Sequence, residues 1–142
     1  MDHYSLSDSQ FIEEFETCKM DPKWFTHEAH LRLAHLYIKK FGVKRAATNL
    51  CEGISRFDTI FGSGDKFHRT ITVASVGVMY HFIQKSSSAD FRSLIKEFPV
   101  LIDDFRSLLL SHYSTRLINS SKSKEEYQLP DLLSNKVFEE VM

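Results

Sequence analysis

The chain has 142 residues, enough for one domain with a hydrophobic core of its own and no need of disulfide or metal staples. Its 18 lysines and arginines are interspersed with 19 aspartates and glutamates, giving a formal net charge of −1 without the cationic stripe that a phosphate backbone demands; nucleic acid is therefore not expected as a partner. No apolar run reaches the roughly 20 residues needed to span a bilayer, so no membrane segment is expected either.

Met1-Asp2-His3-Tyr4-Ser5 has no basic region followed by an apolar run, so no signal peptide and a cytoplasmic location are expected, with His3 in a mobile tail. Ser7 followed by Gln10 has the spacing of a capping box and predicts a first helix over residues 8–19, with Phe11, Ile12 and Phe15 facing inward. Met20-Asp21-Pro22-Lys23 breaks it, because proline disfavours a helical predecessor. A second helix is predicted from His27 to Phe41: Thr26 supplies an N-cap hydroxyl, Glu28 sits in the first turn, Lys39 and Lys40 in the last, and Gly42 follows. Val43, Ala47, Leu50, Ile54, Phe57 and Phe61 repeat at alternating four and three, the stripe of a third helix, which Gly62-Ser63-Gly64-Asp65 closes.

The segment from Thr70 to Ile83 has the β-branched content of a strand but the length and near-continuous apolarity of a buried helix. With helices before and after it, a central fourth helix is the reading. A fifth helix is predicted from Ala89 to Glu97, ending at Phe98-Pro99, and a sixth carries Leu101, Ile102, Phe105, Leu108 and Leu109. Beyond Tyr113 the chain turns polar, and Leu129-Pro130-Asp131-Leu132-Leu133 is expected to dock on the body. The predicted fold is a single all-α domain of five or six helices around the fourth.

Chemistry concentrates at two helix starts. His27 and His30 are three residues apart, hence on one face and about 4.5 Å apart along the axis at roughly 1.5 Å per residue. His68, in Lys66-Phe67-His68-Arg69-Thr70-Ile71-Thr72, stands at another loop-to-helix junction. Three histidines from two helix starts have the makings of an open zinc or iron site, with Glu16 or Asp65 as a carboxylate that offsets repulsion between the helix ends and a cation. The same helix ends suit an anionic ligand, with Arg56, Lys66 and Arg69 supplying positive charge. Taken singly, a His-x-x-His pair is more often one exposed residue and one satisfied core histidine.

The spacing is not that of His-Glu-x-x-His metalloproteases, and no Gly-x-Ser-x-Gly elbow supports a hydrolase triad. Gly62-Ser63-Gly64-Asp65-Lys66 lacks Walker spacing and reads better as a helix-terminating loop than as a phosphate cradle. His35 points away from the His27/His30 face, His81 reads as a hydrogen-bonded core histidine, and His112 as the end of the sixth helix. Cys18 and Cys51 have no metal or redox spacing and are expected to be reduced, buried thiols.

Trp24-Phe25-Thr26-His27-Glu28-Ala29-His30-Leu31, Ile54-Ser55-Arg56-Phe57 and Lys66-Phe67-His68-Arg69-Thr70-Ile71-Thr72 together resemble a family of small, poorly characterised bacterial proteins. Its members carry an aromatic residue before Thr-His-x-x-His-Leu, then aromatic-His-x-Thr-Ile-Thr; Phe15-Glu16, Tyr113-Ser114 and Pro130-Asp131-Leu132 match further elements. The resemblance groups His27, His30 and His68 in one pattern and implies lesser roles for Glu16, Arg56, Thr70, Thr72 and Asp131. The expectation is a small metal-dependent enzyme, hydrolytic or oxygen-dependent, with zinc or iron on the three histidines. The alternatives are a metal-free enzyme or binder for a small anionic ligand, and a non-catalytic helical interaction module.

Overall fold

A computed structural model describes all residues from 1 to 142 and contains helices and no strands. The capping box forms as its spacing predicts: Gln10 N–H donates to Ser7 Oγ at 3.2 Å, and Ser7 N–H donates to Gln10 Oε1 at 2.9 Å. The helix it starts, α1 (Asp8–Glu16), is nevertheless shorter than expected. Cys18 turns left-handed at φ 56°, and the N–H groups of Lys19 and Met20 both reach back to the Glu14 carbonyl. The chain thus curls off the helix end well before Pro22 can act. A 3₁₀ turn, Pro22–Trp24, leads into α2 (His27–Phe41), where Thr26 Oγ1 accepts the Ala29 N–H at 3.2 Å. Gly42, at φ 84°, ends α2 and starts α3 (Val43–Phe61) in one residue, a backbone shape open to glycine because it has no Cβ.

The segment whose period was ambiguous is α4 (Arg69–Lys85). Its Thr72 and Ser75 hydroxyls donate to carbonyls four residues back, at 2.8 and 2.6 Å, so these polar groups are satisfied within the helix. Helix α5 (Phe91–Glu97) starts two residues later than expected because the Asp90 carboxylate takes the cap, accepting the Ser93 N–H at 2.8 Å. The single sixth helix is instead two, α6 (Val100–Asp103) and α7 (Phe105–Leu110). Asp104 leaves helical geometry at φ −155° and ψ 54°, and its carboxylate caps the second piece at Ser107.

Beyond Tyr113 the chain forms α8 (Thr115–Ile118), α9 (Ser121–Glu125) and α10 (Val137–Glu140), a strap laid across the body. Buried Thr70 ties it down, donating to Glu126 O at 3.0 Å and accepting the Gln128 N–H at 3.1 Å. Gly77 lets Phe138 lie against α4, since a Cβ there would stand 3.3 Å from the ring. The residues 129–133 dock through backbone and Asp131 rather than through leucines: Leu132 N–H reaches His112 O at 2.9 Å, while Leu129, Leu132 and Leu133 stay exposed. Helices α2, α3, α7, α9 and α10 all pack on α4, which is the centre of the domain, as predicted. His3 is buried rather than mobile, because Arg32 grips its carbonyl at 2.8 Å. No helix is long and apolar enough to cross a membrane.

Candidate functional site

The start of α2, the end of α3 and the start of α4 meet at one end of the domain, and α7 closes a side. Between them lies a cleft of about 640 Å³, within the usual range for small-molecule sites. Phe25, Ile54, Phe57, Phe61, Ile71 and Phe105 are among its apolar walls. His27, His30 and His68 all line it, so the two separate helix starts do face one space. A second depression, at the α2–α3 turn, is lined mainly by the charged residues Lys44, Arg45, Lys136, Glu139 and Glu140.

Each imidazole is held differently. His68 is the N-cap of α4: its Nδ1 accepts the Ile71 N–H at 3.1 Å, and its Nε2–H donates to Ile118 O at 2.7 Å. Both nitrogens are engaged, one fastening the helix start and the other the strap. His27 Nε2–H donates to Leu101 O at 3.0 Å, which in the neutral ring leaves Nδ1 as an acceptor. His30 Nδ1–H donates to Thr26 O at 2.7 Å, and the ring stacks on Phe25 with centroids 3.8 Å apart. Its Nε2 has no protein partner. Burial lowers the His30 pKa from its ordinary value, and neighbouring His27 lowers it further against the opposing pull of the Thr26 carbonyl. His30 thus presents a neutral ring with a free lone pair.

Asp58, which sequence reasoning passed over, is the buried acid of the cleft. Its Oδ2 accepts the N–H groups of Lys66 and Phe67 at 2.8 and 3.1 Å, shaping the 62–68 loop. The N–H groups at the end of this loop are thereby taken within the protein, and the loop closes α3. Asp58 Oδ1 lies against Gly62, where an added Cβ would collide with it. The readable signal was position: residue 58 is four beyond Ile54, an acid on the inward stripe.

The remaining candidates lie elsewhere, Lys66 and Thr72 excepted. Glu16 accepts the Tyr37 hydroxyl at 2.9 Å, and Arg56 is exposed; neither lines the cleft. Thr70 is fully buried under the strap. Arg69 donates to Glu125 O at 3.1 Å, and Lys124 Nζ bonds the carbonyl of exposed Asp65. Asp131 accepts Ser114 N–H at 2.8 Å and Ser114 Oγ–H at 2.5 Å, so the Tyr-Ser and Pro-Asp-Leu elements meet as a clamp at the start of α8. Thr72 lines the cleft, but its hydroxyl is turned to His68 O. His35 is buried beside Phe91, as its divergent direction predicts. His81 makes no protein hydrogen bond and shares a small cavity of about 100 Å³ with His112, contrary to the expected satisfied core residue. Cys51 is buried, its thiol pushed up to about 11 by that burial, and Cys18 is half-buried; both are free.

No three His, Cys, Asp or Glu side chains come close enough to share a metal ion. The three histidines therefore share a cleft without forming a ligand set. Comparison with family models, with curated proteins and with solved structures returned no match.

Proposed function

We propose that this chain binds a small, mainly apolar molecule that carries a hydrogen-bond donor, and that His30 Nε2 accepts from that donor. One observation carries the reading: an unpartnered imidazole nitrogen, on a ring fixed by Thr26 and Phe25, lines an apolar cleft of about 640 Å³. A neutral imidazole with its basicity lowered by burial keeps its lone pair near pH 7, so it can hold a donor or take a proton as a general base.

The three-histidine metal enzyme has less support. Recruiting His68 through Nδ1 would break its bond to Ile71 and free the α4 cap, and recruiting it through Nε2 would cost its bond to Ile118 and the strap fastening. An anionic ligand is also less well supported, because Asp58 stands in the wall and Lys66 alone among the three expected cations lines the cleft.

The test is ¹⁵N-histidine NMR with indole, 1-naphthol and cyclohexanol as probes, alongside thermal shift with the same compounds and with zinc and iron(II). At least one apolar probe is expected to move the His30 Nε2 resonance and raise Tm. His30→Phe keeps the stack and removes the acceptor, and is expected to weaken that probe about fivefold, the scale of one neutral hydrogen bond. The proposal fails if no probe perturbs His30, or if metal shifts the His27, His30 and His68 resonances together.

A further inference from the structure

Asp58 is an unfinished charge. It is 9% exposed, and burying a carboxylate is unfavourable unless a partner compensates it. Oδ2 has its two backbone N–H donors, but Oδ1 has none. The one ion pair in the protein is Arg32 with Asp8, so no side-chain cation lies within 4 Å of Asp58, Lys66 included. The buried side-chain atoms sealed without a partner are Tyr4 Oη and His35 Nδ1. Asp58 Oδ1 is not sealed; it keeps contact with open space, and the residue lines the cleft.

The other free polar atoms in the cleft have the same character. His30 Nε2 is an acceptor, and so is His27 Nδ1 when Nε2 carries the proton given to Leu101 O. Lys66 is the one cationic donor among the lining residues, and it is exposed. Around these acceptors the walls are phenyl rings. Phe25 and Phe57 stand 4.9 Å apart between centroids, and Phe57 and Phe61 stand 4.7 Å apart. Aromatic faces attract cations through their quadrupole, most strongly where water is excluded. A lone carboxylate oxygen, neutral acceptors and clustered phenyl rings share one complement: a positive charge that bears N–H groups and is attached to an apolar body.

Building on the cleft reading above, we infer that this site selects an organic ammonium, its N⁺–H donating to Asp58 Oδ1 and its apolar body lying among Phe25, Phe57 and Phe61. His30 Nε2 remains to accept a second donor of the same ligand. Gly62 belongs to this arrangement, since any side chain there would displace the Asp58 oxygen that receives the ammonium.

The experiment compares matched ligands that differ in one end group: phenethylamine, 2-phenylethanol and 3-phenylpropionate, then tryptamine, tryptophol and indole-3-propionate. Affinities for the full chain are measured by NMR titration at pH 7.5. In at least one series the amine is expected to bind ten- to a hundredfold more tightly than its alcohol, the range for a hydrogen bond to a charged group, and the acid most weakly. Asp58→Asn keeps an oxygen for the Lys66 and Phe67 N–H groups; it should bring amine and alcohol within about threefold of each other, chiefly by weakening the amine. Phe61→Leu, at a partly exposed rim position, tests the rings without touching the acid and should weaken the amine more than the alcohol. Equal binding of amine and alcohol by the wild type, or a preference that survives Asp58→Asn, overturns the inference. If alcohols bind through His30 with no amine advantage, the cleft reading stands and this inference alone falls. If no compound of either series perturbs His30, both fall.

Discussion

Arg32 and Asp58 are two buried charges on neighbouring helices, and they are treated in opposite ways. Arg32 is densely partnered: one terminal guanidinium nitrogen bonds His3 O at 2.8 Å, the other bonds Leu6 O at 3.0 Å and Asp8 Oδ1 at 2.9 Å, and the plane lies 4.3 Å from the Phe11 ring centre. Both terminal nitrogens are engaged within the protein, and the cluster staples the N-terminal residues to α2. Asp58 has one oxygen bonded and one open, in a wall rather than beneath one. Dense partnering by the protein's own groups marks a charge that holds the fold together; an open carboxylate oxygen in a cleft wall marks one held ready for something else.

The contrast predicts unequal costs. Arg32→Ala leaves the Leu6 carbonyl without its donor, takes one of two donors from His3 O and removes packing from Phe11, and should destabilise by about 3 kcal/mol. Little of that is ionic, because the Asp8 side chain is 68% exposed and its ion pair is screened by water. Asp58→Asn, which can keep its backbone bonds, should cost less than about 1 kcal/mol. Urea denaturation of the two variants measures the difference. Equal losses would show that Asp58 is as structural as Arg32, and the division between the two regions would collapse.

A smaller effect is expected where packing supports the cleft from behind. Gly53 faces Phe15, and a methyl there would run into the ring. Phe15 is fully buried and leans on Phe25 and Phe57, at 4.8 and 5.7 Å between centroids, so it has nowhere to retreat except toward the cleft. Overpacking of about 1–3 kcal/mol, partly offset by alanine's helix propensity of about 1 kcal/mol, leaves Gly53→Ala less stable by about 1 kcal/mol. The same denaturation series checks it. A stabilised variant would mean that the Phe15 layer yields easily, and the cleft floor with it.

Much of this was legible in the chain because it is local. The stripe from Val43 to Phe61 and the caps at Ser7 and Thr26 are patterns within a few residues, and each formed as read. The break at Asp104 was hidden because aspartate caps a helix only once the backbone has turned. The strap was hidden because it is fastened by backbone groups, Glu126 O and Gln128 N–H, which carry no side-chain signature. His68 stood out at a loop-to-helix junction, and there it both lines the cleft and caps α4 through Nδ1, a part more often taken by serine, threonine, asparagine or aspartate. Asp58 was visible in principle, as an acid on an apolar stripe, and was outshone by the histidines.

The smallest effect separates the two regions by pH. Burial and the Arg32 charge lower the His3 pKa, and burial and His27 lower that of His30. The sign follows from proton counting. Between the depressed folded value and the ordinary 6.5, the unfolded chain binds more protons than the folded one, so stability rises with pH across that window. It is fully present above about pH 6.5 and is lost as pH falls toward the folded values. The two rings differ in what protonation breaks. At His3, Nδ1 accepts from Arg32 at 3.2 Å, so a proton there sets two positive groups against each other in the interior. At His30 the proton goes to Nε2, which faces the cleft and disrupts no bond. Thermal melts from pH 7.5 to 5 should therefore show a fall in Tm that His3→Asn flattens more than His30→Phe does, at about 3 °C for each 1 kcal/mol in a domain of this size. If His30→Phe flattens the curve more, the nitrogen assigned to the ligand is instead buried and structural, and the cleft is the more finished of the two regions.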